Sequence, residues 1–125
     1  MDDKLKHEWD AERKIELKFS RIINTSINRV MEQVKDKKPE IFSKFHYGSI
    51  DINPKYLVIW YLFEKDVDLK EAENIGMLDD LKILTLRELK NNGYPEDVLG
   101  EIQIAFTTDE DIQRETGGNY WYYFK

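Results

Sequence analysis

The two histidines of this 125-residue chain are of the residue type whose ordinary titration falls near neutrality, which makes them the first candidates for proton transfer or metal binding. His7 stands four residues after Asp3 and three before Asp10, a spacing that stacks all three on one helix face and could offer a metal three ligands. The same groups serve as solvated charges in the first turns of a helix, and no metal is assigned to them. His46 lies between Phe45 and Tyr47, with Asp51 five residues further on. A His-Asp pair can move protons, but no serine in a nucleophile elbow accompanies this one. It defines an alternative in which the chain is a small enzyme; no catalytic residue is assigned.

Other clusters carry less. Asp109-Glu110-Asp111 lacks the alternating oxygen donors and the turn glycine of a calcium loop, and its acids suit the first turn of a helix. Gly117-Gly118 follows a helical segment and has no Lys-Ser or Lys-Thr behind it, which removes the phosphate-cradle reading. There are no cysteines, so disulfides, thiolate metal sites and cysteine nucleophiles are excluded. No cofactor is implied.

What must position these residues is one folded domain, 1–125. The length suits a single core, and 41% hydrophobic with 35% charged residues is a folded, highly charged composition. The start has no apolar signal region and no apolar run reaches the ~18 to 20 residues of a membrane span, so the expected location is the cytoplasm, with no membrane partner. Charge is uneven. Residues 1–63 hold 12 Lys or Arg against 10 Asp or Glu, and residues 64–125 hold 7 against 15. An acidic second half repels phosphate backbones and favours a basic protein partner over nucleic acid.

The chain is organised around Tyr56 to Phe63, an unbroken aromatic and β-branched run that reads as a strand buried on both faces. Before it, residues 3–38 read as a long amphipathic helix, with Asn24-Thr25-Ser26 as the place where it would break or bend. Residues 42–63 read as an antiparallel hairpin with a bulge at Gly48. Residues 68–92 read as two helices capped at Asp68 and at Thr85. Residues 101–124 read as strand, short helix and strand. Thr107-Thr108 caps the helix, Gly117-Gly118 ends it, and Asn119 to Phe124 forms the last strand, with Tyr120, Tyr122 and Phe124 on one face and Trp121 and Tyr123 on the other. The expected fold is α+β in two layers: about four strands in a mixed or antiparallel sheet, with helices on one face.

Ile50-Asp51-Ile52-Asn53-Pro54, Asn91-Asn92-Gly93-Tyr94-Pro95, and Phe106 to Ile112 leading to Gly117-Gly118-Asn119-Tyr120-Trp121 give residues 45–125 a likeness to known proteins. This stretch resembles small bacterial α+β proteins of the kind found among immunity proteins of toxin systems. The resemblance implies a protein that binds and neutralises a partner, and it carries over no functional residue. The residues themselves lead to the same class: a protein-binding module that neutralises or regulates a partner, with Asp79, Asp80, Asp109, Glu110 and Asp111 steering a basic surface and Trp121 and Tyr123 as anchors. A third expectation is a structural homo-oligomer joined through Leu5, Trp9, Ile15 and Phe19.

Overall fold

The computed structural model describes residues 3–124, with side chains placed for residue 11 and residues 13–124. Its centre is β2 (Val58–Phe63), flanked by β1 (Ser43–Tyr47) and β3 (Gln103–Thr108) in the order β1-β2-β3. β1 runs antiparallel to β2 with Phe45 opposite Trp60, and β3 runs parallel to it with Ala105 opposite Trp60. The sheet is therefore mixed. Because side chains alternate across a strand, this register puts Ser43, Phe45, Tyr47, Val58, Trp60, Leu62, Gln103, Ala105 and Thr107 on one face. Lys44, His46, Ile59, Tyr61, Phe63, Ile104, Phe106 and Thr108 take the other.

That second face meets the main helical layer. A parallel neighbour to β2 needs a crossover, supplied by α2 (Asp66–Asn74) and α3 (Met77–Asn91). The first helix, α1 (Asp3–Val34), packs on α3, and its buried Ile23, Ile27, Val30 and Val34 join Ile59, Tyr61, Phe63, Leu81 and Leu89 in one core. Two expected interruptions are absent. Ser26 is buried and donates to the Ile22 carbonyl at 2.7 Å, so the polar run at 24–26 is absorbed within the helix. Thr85 sits in the interior of α3, where its Oγ1 donates to Leu81 O at 2.6 Å and shares a 2.7 Å hydrogen bond with the buried Tyr61 hydroxyl. Its polarity serves a core contact and caps nothing. Asp68 stands at the third position of α2, not before it, and accepts from the Lys65 amide at 3.3 Å.

Among the described residues three strands replace the expected four. α4 (Asp109–Thr116) begins as read, with Thr108 Oγ1 accepting from the Asp111 amide at 2.9 Å, and ends on Gly117 in the left-handed region at φ 64°. The tail then forms a short helix, α5 (Tyr120–Tyr123), in place of a strand. Asn119 caps it by accepting from the Tyr122 amide at 3.1 Å. α5 covers part of the sheet face opposite α1 and α3, so helical cover is on both faces, not one. Gly48 makes no bulge inside a strand. β1 ends at Tyr47, and Gly48 turns the chain at φ 129° toward a 3₁₀ turn at Pro54–Tyr56.

Candidate functional site

Converting the tail from strand to helix changes which aromatics share a side. In a strand Tyr120 would align with Tyr122; at helical spacing it aligns with Tyr123 and Phe124. These three face inward. Phe124 rests on Phe45 and Trp60 with ring centroids 4.5 and 4.9 Å away, both edge to face, and Tyr123 touches it at 4.7 Å. Trp121 and Tyr122 point outward, at 73% and 65% exposed.

Hydrogen bonds hold this turn at its polar end. The Tyr120 hydroxyl donates to the Asp109 carboxylate, the Tyr123 hydroxyl donates to Asp111, and Tyr123 also shares a 2.7 Å hydrogen bond with Thr107. Arg114 ties the same end to the start of α2, reaching Asp66 at 2.9 Å and Asp111 at 2.5 Å, while Thr108 donates to Asp66 at 2.6 Å. The Tyr123 hydroxyl, followed by Arg114, holds the Asp111 carboxyl below the usual carboxylate range. Burial, reinforced by Asp109, pushes the Tyr120 phenol up to about 12.

Between α5 and the β1 edge lies an open concavity of about 590 Å³ lined by Phe45, Tyr47, Tyr120, Trp121 and Phe124. Its walls come from distant parts of the chain, the β1 strand and the final helical turn. Tyr47 and Phe45 stack at 6.2 Å, and Trp60 Nε1 donates to the Tyr47 hydroxyl at 3.2 Å, which fixes that wall. Among the described residues no charged side chain lines it. The groove can hold a flat or cationic group against π faces.

No family model, curated protein or solved structure matches this chain. Of the seven residues expected to bind a partner, Trp121 lines the groove, and Asp109 and Asp111 act behind it by holding Tyr120 and Tyr123. Tyr123 is half-buried, and its hydroxyl is engaged within the fold. Glu110 is exposed beside them in the first turn of α4, while Asp79 and Asp80 are exposed on the first turn of α3.

The remaining expectations separate. His46 is half-buried on the helix-facing side of β1, and Asp51 is exposed in the loop beyond it; among the described residues no hydrogen bond or ion pair joins them. Burial lowers the His46 pKa, the opposite of what a paired carboxylate does. The side chains of Asp3, Leu5, His7, Trp9 and Asp10 lie outside the described residues. Phe19 packs on Tyr94 at 5.4 Å, whereas Ile15 is 44% exposed. Among the described residues no group of three metal-ligating side chains forms, and no helix is long and apolar enough to cross a membrane.

Phe45, Tyr47, Tyr120 and Phe124 were not singled out as a site by sequence. Two signals pointed to them. Phe45 and Tyr47 alternate around His46, which puts both rings on one sheet face, and Asn119 two residues after Gly117 is a helix cap in waiting.

Proposed function

We propose that the chain is a protein-binding module that neutralises or regulates a partner, and that contact is made through the aromatic groove and the acidic side chains near it. The observation that carries this reading is Trp121. A large aromatic side chain 73% exposed beside four further aromatics is the composition of an interface anchor. The hydrogen bonds of Tyr120 and Tyr123 to α4, and of Trp60 to Tyr47, hold the groove in shape before any partner arrives, which lowers the ordering cost of binding.

The exposed Asp79, Asp80 and Glu110 would steer a basic surface from a distance, while Asp109 and Asp111 shape the contact through the tyrosines they hold. The test is quantitative affinity capture from lysate of the native host with the unmodified chain, Trp121→Ala and Tyr47→Ala in parallel. A basic protein retained by the unmodified chain and lost by both variants, with their circular dichroism unchanged, supports the reading. Identical captured sets in all three arms refute it. Once a partner is in hand, charge reversal at Asp79, Asp80 and Glu110 should lower the association rate and flatten its salt dependence, leaving dissociation nearly unchanged.

A further inference from the structure

Five aromatic rings without a charge among them suit an apolar occupant as readily as a cationic one, so the choice rests on what lies behind the rings. Tyr120 donates its hydroxyl proton to the Asp109 carboxylate. A phenol that donates to an anion gains electron density in its ring, and the negative π face grows stronger toward a cation. Asp109 itself belongs to the acidic first turn of α4 with Glu110 and Asp111, on an acidic half of the chain. Arg114, in the last turn of α4, is engaged by Asp66 and Asp111. Rings of this chain take ammonium groups elsewhere: Lys82 Nζ stands 5.9 Å over Phe106 and Lys55 Nζ 5.5 Å over Tyr56.

We propose that the occupant of the Phe45-Tyr47-Tyr120-Trp121-Phe124 groove is an arginine side chain on the surface of a basic partner protein. This rests on the protein-binding reading and names the group that the groove receives. A guanidinium is flat, so it stacks on an aromatic face as a compact ammonium cannot, and it is weakly hydrated, so entering an apolar groove costs it less. The openness of the site suits a side chain arriving from a protein surface. Asp109 is a positioning residue: it orients and polarises Tyr120 and does not touch the arginine.

The experiment titrates the ¹⁵N-labelled full chain with the peptide acetyl-Gly-Arg-Gly-Arg-Gly-amide and with its counterpart in which citrulline replaces arginine. Citrulline keeps the flat shape and loses the charge. The expected result is a saturable shift of the Trp60 and Trp121 indole N–H signals, with the arginine peptide binding about fivefold more tightly than the citrulline one. In Trp121→Ala, whose replaced side chain is largely outside the core, the Trp60 shift should fall at least threefold. Equal affinity for the two peptides overturns the proposal in favour of a flat apolar occupant. No indole shift at saturating peptide overturns it outright, and an undiminished shift in Trp121→Ala moves the cation to the acids alone. The two readings fail separately. A captured partner that needs the groove, with no preference for arginine, leaves the binding function standing; arginine binding with no groove-dependent partner leaves only the site.

Discussion

Asp111 is the residue on which the groove's outer wall turns, because it receives both the Tyr123 hydroxyl and the Arg114 guanidinium. Its carboxyl is held below the usual range, so its contribution is fully present above about pH 4, the unfolded value, and is lost as pH falls through the lower folded value. Acidification should therefore release α5 before the core unfolds, seen as a change in Trp60 and Trp121 fluorescence that precedes the loss of far-ultraviolet dichroism. Tyr123→Phe should remove most of that early step. Gly48 makes a different demand. A Cβ there would stand 2.1 Å from the Tyr56 carbonyl oxygen at a φ of 129°, and backbone cannot swing aside as a side chain can. Gly48→Ala should cost roughly 2 to 4 kcal/mol in denaturant unfolding, with β1 and the wall of the groove disturbed together.

At the scale of elements, what was legible follows from how local each signal is. The Thr108 cap and the Gly117 stop of α4 are written in adjacent residues and were readable, as was the hydrophobic run that became β2. Tyr120 to Phe124 were misread because aromatic residues favour strands only when a neighbouring strand is there to pair with. The β3 edge is not extended by the tail; Asn119 offers a cap, and the rings find their burial on Phe45 and Trp60 as a helical turn. Thr85 was misread for the reverse reason: its best partner, Tyr61, lies 24 residues away, beyond the reach of a local capping rule. Half of the groove inherits this difficulty, since its walls meet only in three dimensions. Thr108→Ala should cost about 1 to 2 kcal/mol, because it removes a cap and the bond to Asp66 at once, and chemical denaturation will read it.

For the whole molecule, β2 is the element to which both layers are anchored, with the main core on one side and the aromatic turn on the other. Leu81→Ala, at a site with no solvent exposure, should destabilise the chain by about 2 to 5 kcal/mol and leave the groove's geometry intact in the folded fraction. Tyr61, Tyr94 and Tyr120 have phenols raised to about 12, chiefly by burial. Their contribution is complete below about pH 10 and is lost as pH rises toward 12, so melting temperature should decline across that window as the phenolate absorbance grows.

The groove joins β1 to the helical turn at α5, more than 70 residues further along the chain, so an unfolded chain does not hold it assembled. An occupant that needs both walls then binds the native state in preference to the unfolded chain. An occupant present at a hundred times its dissociation constant adds about 2.7 kcal/mol to stability, and melting temperature becomes a titratable readout of occupancy. Because α5 carries one whole wall, the same occupant should slow amide hydrogen exchange in that turn far more than in β2, the central strand of the sheet.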